Sequence, residues 1–467
     1  MELEALPAAV ARPAYAPSGH GPGIVHLGLG AFFKAHLAVY TDDALAGAGG
    51  DWRIIGVSLR SKAPSAALAA QNELYTCVER DLDGTMARVI GSLAAALNLP
   101  EHRADVLRAL TDPATRIISL TVTEKGYGLN RSTGGVDAED PVMAHDLANP
   151  DAPHGVAGLL VWALRARRLA GHAPFTVLSC DNMPNNGAML RGLLIDFAQR
   201  TAPEIAPHIA EDVAFPATMV DRITPASTQE TLALAEELTG QRDAAAVTCE
   251  GFRQWVIEDN FPQGRPAWDA GGAQFVSDVA PFEDMKLRML NGAHSMLAYA
   301  GFRRGRRFVR DVMADPVLAP RVTQHLEAAA ATLRPIAGMD FARYASDLTT
   351  RFRNPHLDHE TYQIAMDGSQ KMPQRIFAPA RDAHAAGQDL LPFAYATAAW
   401  IAYLRGERRG AAYDLRDPRA AELSLAPEAS DDARVEHVFA LPNLIPDALR
   451  GDAQFRAHVL ADLGTLP

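Results

Sequence analysis

Lys286, Asn291 and His294 lie within one short stretch, Glu283–Ser295 (EDMKLRMLNGAHS). At about 100° per residue an α-helix would place them near 0°, 140° and 80° around its axis, so one broad face can carry all three. A lysine beside amide donors suits the reduction of a ketone, because the developing alkoxide needs hydrogen bonds and a proton source. In the reverse direction the lysine must be neutral to take the alcohol proton. Its ordinary pKa near 10.4 must then be lowered by burial or by a neighbouring cation. Asn291-Gly292 inside a helix runs against propensity, and a local rule broken in this way often marks function. The competing reading is a surface lysine with an ordinary helical histidine.

Four other segments are unusually polar for their surroundings: Thr123–Tyr127 with Glu124, Ser179–Asn182, Val220–Arg222, and Asp367–Arg375. At the other end of the chain, Gly28-Leu29-Gly30 closes an apolar run and leads into a helical pattern. Glycines there let phosphates approach backbone N–H groups at a helix start. Phe33 stands where a third glycine of that fingerprint would fall, and Phe32 and Phe33 join the two glycines as candidates for the cofactor side. A tight strand-to-helix turn without a ligand is the plain alternative. The second apolar run ends Ser58-Leu59-Arg60-Ser61-Lys62-Ala63, with two cations and no carboxylate. A carboxylate would favour NAD, whereas Arg60 and Lys62 could pair with the 2′-phosphate of NADP. A solvated basic loop is the other reading.

These residues need elements to hold them. The chain has 467 residues, 48% of them hydrophobic, with a net charge of −12. That length predicts two or three domains with a sizeable core. The acidic balance argues against a dedicated nucleic-acid binder. No apolar stretch is long enough to span a bilayer, and Met1-Glu2-Leu3-Glu4 lacks a signal-peptide pattern, so a cytoplasmic protein is expected. Cys77, Cys180 and Cys249 are too far apart in sequence for a disulfide framework or a Cys-x-x-Cys metal site. His356 and His359 near Asp358 have no second pair at ligand spacing, so no metal is expected. The run Arg303–Arg307 reads as a solvated helix end.

Apolar runs at Ile24–Leu29, Arg53–Leu59, Arg116–Val122, Thr176–Ser179 and Ala214–Met219 read as strands. Phe33–Leu45 and Val156–Arg168 read as helices. Strands alternating with helices predict an α/β, doubly wound parallel sheet of Rossmann type over residues 1–280. Met285–Tyr299, Arg321–Leu333, Ala380–Ala386, Ala394–Leu404 and Arg434–Leu441 read as helices, so residues 281–467 are expected to form a mostly α-helical second domain.

Taken together, HLGLGAFFKAH (His26–His36), TVTEKGY (Thr121–Tyr127), SCDNMPNNG (Ser179–Gly187), VDRITP (Val220–Pro225), QWVIEDNF (Gln254–Phe261), KLRMLNGAHS (Lys286–Ser295) and DGSQKMPQR (Asp367–Arg375) resemble the long-chain polyol-specific dehydrogenases. That family includes mannitol 2-dehydrogenase and fructuronate reductase (D-mannonate oxidoreductase). The resemblance implies metal-independent hydride transfer with a nicotinamide cofactor in a monomeric enzyme. It places the catalytic lysine on Lys286 and the two amides that bind the reacting oxygen on Asn182 and Asn291. It places the substrate-orienting histidine on His294, an aspartate of the site on Asp221, and a second-domain lysine on Lys371. Glutamates that pass the proton to solvent fall on Glu124 and Glu283. Mannitol dehydrogenases resemble one another in an arginine where this chain has Gln363, and QIAMDGSQKMPQR looks closer to the fructuronate reductase branch. The implied substrates are D-fructuronate and D-mannonate, with Lys371 or Arg375 for the carboxylate. D-fructose with D-mannitol, or another polyol, is the alternative. Family habit favours NAD and the basic turn favours NADP.

Overall fold

The computed structural model describes every residue except Arg131, Ser132, Leu357 and Pro467. The chain divides into two compact units, Met1–Val279 and Ala280–Pro467.

The first unit is built on a five-stranded sheet of β1 (Pro22–Leu27), β2 (Arg53–Ser58), β5 (Leu93–Asn98), β6 (Ile117–Leu120) and β7 (Thr176–Ser179). Their order is β5-β2-β1-β6-β7, and every pairing is parallel. Burial on both faces explains why β1, β2, β6 and β7 read as unbroken apolar runs; β5, only partly buried at Ala94, Ala95 and Leu97, was not among the runs read. Two hydrophobic clusters cover them, one including Val25, Ile118 and Val177, the other Ile24, Ile54 and Ile117. The winding reverses between β1 and β6. That is the point of such a sheet at which strand ends splay and ligands bind.

Two three-stranded sheets were not foreseen. One is β4-β3-β9, from Gly84–Ile90, Tyr75–Asp81 and Val247–Cys249; the other is β11-β10-β8, from Gln274–Val276, Gln254–Glu258 and Thr218–Asp221. The strand expected at Ala214–Met219 begins at Thr218 instead. Pro216 lacks the N–H a ladder needs, although Ala214 still accepts from Val177 N–H at 3.0 Å. The helix expected over Phe33–Leu45 is two helices, Ala31–Ala35 and Leu37–Ala48, broken at His36 (φ −123°, ψ −91°).

Among its described residues the second unit has no strand beyond the two-residue hairpin pair at Glu407–Arg408 and Ala411–Ala412, and its regular elements are otherwise helices. Its centre is the helix Gly292–Arg303, every residue of which is buried, packed against Leu391–Tyr403, which is buried nearly throughout. Helices apolar on all sides belong inside a core. Arg303 is buried with them, its guanidinium bonded to the Glu407 carbonyl, and Arg304, Arg306 and Arg307 are held by Asp315 and Glu360. The basic run is therefore a set of internal ties as much as a solvated helix end. Among the described residues no helix is long and apolar enough to cross a membrane.

Candidate active site

Met285–Tyr299 is not one α-helix. Ala280–Met285 is α-helical, Lys286–Asn291 is a π-helix, and Gly292–Arg303 returns to α. Gly292 N–H donates back to the Leu287 carbonyl, five residues earlier. The 100° step used on the sequence therefore misplaces Asn291. A π turn holds more residues than an α turn, so Lys286 and Asn291 fall closer together around the axis than the about 140° an α-helix would give. Single π turns of this kind are frequent at functional sites. Lys286 is 7% exposed.

A second π segment, Pro373–Phe377, faces the first; Ala378 N–H donates to the Pro373 carbonyl, again five back. Arg375 sits in it and donates to the Asn291 carbonyl (3.4 Å) and to Ser295 Oγ (3.3 Å). Gly292 permits the contact. A Cβ there would lie 2.9 Å from the Arg375 carbonyl oxygen and 3.0 Å from His325 Nε2.

His294 is buried and neutral. Burial pushes its pKa well below the usual value, helped by His359 beside it and by the charges of Arg351, Arg375 and Lys286. Lys371 is half-buried and donates to the Ile364 carbonyl at 3.1 Å. Gln363 is exposed on the short helix Thr361–Ile364, and Glu283 is half-buried on Ala280–Met285.

In the first unit, Gly28 and Thr121 follow β1 and β6, at the reversal of the sheet. Gly28 has φ +115°, and a Cβ on it would fall 2.1 Å from the Thr121 carbonyl oxygen. Beneath the turn lies His26, fully buried. One ring nitrogen meets Ser119 Oγ (2.8 Å), and the other meets the Gly28 carbonyl (3.0 Å) and Thr121 Oγ1 (2.9 Å). Phe33 is fully buried and stacks on that ring with centroids 3.9 Å apart. Its side chain therefore supports the turn as core, while half-buried Phe32 stacks on His36. At Gly30 a Cβ would meet no atom within 4 Å. The turn thus has a fixed underside and an open face, which suits the close approach of a pyrophosphate.

Arg60 and Lys62 are both exposed, and Lys62 pairs with Glu101 at 2.8 Å. The turn between them is closed by Ser58 Oγ and Asn98 Nδ2, both donating to the Ser61 carbonyl. The carboxylate that local sequence lacked is thus supplied from beyond β5, and it takes up the lysine offered for a 2′-phosphate.

Asp181 holds the loops around Asn182 and Glu124. It accepts from Val122 N–H (2.9 Å), Thr123 N–H (3.1 Å) and Tyr127 Oη (2.8 Å). Thr123 has φ +65°, an uncommon conformation for a β-branched residue. Burial raises the Asp181 pKa against the lowering effect of these bonds. Asn182 and Glu124 are exposed. Asp181 lay inside one of the polar segments, but nothing local distinguished it from its neighbours. Asp221 ends β8 and is 5% exposed. Next to it, Arg222 is clamped by the Ala35 and Glu250 carbonyls and by Glu79.

Strand pairing also places Cys77 Sγ 3.5 Å from Cys249 Sγ, with Glu79 near enough to make a three-residue group of metal-ligand types. Spacing along the chain, from which no metal is expected, does not reveal this group, because the strands bring Cys77 and Cys249 together from 172 residues apart. The Glu79 carboxylate is engaged by Arg222 at 2.5 Å.

Two family models cover almost the whole chain: the mannitol dehydrogenase Rossmann domain over residues 22–270 and the mannitol dehydrogenase C-terminal domain over residues 278–466. The chain is 43% identical over 460 residues to D-mannonate oxidoreductase of Escherichia coli (strain K12), covering 97% of this chain and 94% of that one. It is 40% identical over 465 residues to mannitol 2-dehydrogenase of Phaeosphaeria nodorum, covering 98% and 81%. Among solved structures it is similar to Pseudomonas fluorescens mannitol 2-dehydrogenase in ternary complex with NAD and D-mannitol, with TM-score 0.84 and 38% identity over 99% of this chain and 95% of that one.

Proposed function

Because the chain belongs to the mannitol dehydrogenase family, whose chemistry is oxidation and reduction at a CH–OH group, we propose that it is an NAD-dependent reductase interconverting a keto-uronate and its secondary alcohol, D-fructuronate and D-mannonate. The observation that carries the reading is the π segment, with Lys286 and Asn291 brought closer together around its axis, beside a neutral His294.

NAD(H), when bound, supplies or accepts the hydride. Gly28 and Gly30 give its pyrophosphate a backbone to approach. As negative charge develops on the substrate oxygen, Lys286 Nζ gives it a proton, and the side-chain amides of Asn291 and Asn182 donate hydrogen bonds to it. In the oxidative direction Lys286 takes the proton back. His294, being neutral, offers its unpartnered Nε2 to a substrate hydroxyl. Glu283 and Glu124 pass the proton onward, and the exposure of Glu124 suits that task. Asp221 and Gln363 bind substrate hydroxyls, and Lys371 or Arg375 binds the carboxylate. The proposal includes a cytoplasmic monomer that uses NAD, the cofactor held by the solved Pseudomonas fluorescens relative.

The solved relative that holds NAD and D-mannitol favours a second reading, D-fructose with D-mannitol. Oxidation of NADH measured with D-fructuronate and with D-fructose separates the two. The uronate should give the higher kcat/KM by at least tenfold. A preference for D-fructose by orders of magnitude overturns the uronate.

A further inference from the structure

Three side chains of metal-ligand type meet on one face of the small sheet β4-β3-β9. On β3, Cys77 and Glu79 are two positions apart and point the same way. The parallel strand β9 sets Cys249 opposite Glu79. Cys77 Sγ lies 3.5 Å from Cys249 Sγ, and one ligand atom from each of the three residues falls within 4.8 Å of the others. Both cysteines are buried, and the Glu79 side chain is 18% exposed.

The spacing chooses between the two things a thiol pair can do. Cys77 is paired with Val247, so the two cysteines are diagonal neighbours, a relation that sets positions about 7–8 Å apart. A disulfide needs Cα atoms within about 7 Å and sulfurs about 2.05 Å apart, so it would draw the strands out of register. A tetrahedral zinc ion with Zn–S bonds of about 2.3 Å holds two sulfurs about 3.8 Å apart, close to the separation found. Charge agrees with the metal. Two thiolates and a carboxylate exceed a divalent cation by one negative charge, and Arg222 matches it with a fully buried guanidinium bonded to Glu79 Oε1. A buried ionic group needs that neutrality. The bond takes one carboxylate oxygen, and the other keeps its own lone pairs. The hydrogen bond to Cys249 also lowers the Cys77 pKa against burial, with the charge of Arg222 adding to it.

We propose that Cys77, Cys249 and Glu79 bind one zinc ion as a structural site. Two Zn–S bonds replace the two thiol protons, which leave to solvent, and Glu79 supplies the third ligand. The fourth position falls to water, which the partial exposure of Glu79 admits. The ion ties β3 to β9. Tyr75 of β3 and Ala245, two residues before β9, hold the helix Ala31–Ala35 that follows the glycine turn: Tyr75 Oη donates to the Lys34 carbonyl, and Lys34 Nζ donates to the Ala245 carbonyl, each at 2.6 Å.

The test incubates the untagged wild-type enzyme with one equivalent of zinc, desalts it, and measures bound metal, X-ray absorption at the zinc edge and the melting temperature. About one ion per chain is expected, with two sulfur neighbours at about 2.3 Å and a higher melting temperature than in the chelator-treated protein. Cys77→Ser and Cys249→Ser should each weaken zinc binding at least about 100-fold, more than the loss of an outer partner costs. Cys180→Ser, outside the group, should leave zinc binding unchanged. The absorption and melting measurements need no variant, so they decide the matter even if a serine variant fails to fold. Absence of retained zinc, zinc without sulfur neighbours, an unshifted melting temperature, or full zinc affinity in both C77S and C249S overturns the site.

Discussion

Lys286 and Asn291 are the first and last residues of one π-helical segment, five positions apart in a helix that closes its hydrogen bonds every five residues. An uninterrupted α-helix would turn the amide away from the amine. The geometry depends on Gly292, pressed against the Arg375 carbonyl of the second π segment.

Gly292→Ala is therefore expected to force the two π segments apart. Inserting a methyl group into a packed contact costs about 1–3 kcal/mol, and kcat should fall with stability because Asn291 moves. Urea unfolding alongside steady-state kinetics checks this. Wild-type stability and kcat would show that the segment tolerates the shift.

The two glycines of the first turn should separate by mechanism. Gly28→Ala meets the Thr121 carbonyl and a φ closed to alanine, so it should destabilise the first unit by about 1–3 kcal/mol. Gly30 has φ −82° and open space around a Cβ. Gly30→Ala should leave stability within about 0.5 kcal/mol yet weaken NADH binding at least tenfold. Thermal melts and NADH fluorescence titrations distinguish the two.

Five histidines bear on pH. Burial holds His26 and His36 at about 3, His325 and His359 at about 4, and His294 well below its ordinary value. An unfolded chain protonates these rings near pH 6.5. Above that pH both states are neutral and the full stability is present. Below it the unfolded state binds the extra protons, so stability falls as the pH drops from about 6.5 toward 4. The slope approaches about 1.4 kcal/mol per pH unit for each ring involved. Urea midpoints at pH 7.5 and 5.5 should differ clearly, and coincident midpoints would contradict the burial of these rings as neutral groups.

Lys62→Ala should change the KM for NADH less than twofold, because the lysine is exposed and its surface pair with Glu101 contributes little. NADPH should remain the poorer cofactor in both proteins. A large loss confined to NADPH would show that Lys62 reads a 2′-phosphate after all.

The legible parts of the fold were those with continuous local signals. Thr176–Ser179 was read to the residue, and Val156–Leu169 to within one, because buried apolar runs and a helical period are written in adjacent residues. The hairpin Tyr75–Asp81 with Gly84–Ile90 was missed, since its strands mix charged and apolar residues and expose Met86. The π segments were missed because a period of 3.6 was assumed throughout. Lys62–Glu101, Cys77–Cys249 and His294–His359 join positions distant in sequence, and no window along the chain shows them. Asp181 escaped for the same reason: what sets it apart is what folding brings beside it.

The central claim is that the Lys286 amine carries the proton. Lys286→Ala, assayed for NADH oxidation on the preferred sugar and for NADH affinity by fluorescence, tests it most directly. Turnover should drop by at least ~10²-fold, the lower range for acid–base catalysis, while NADH affinity stays within about threefold. Turnover equal to that of the wild type would contradict the account.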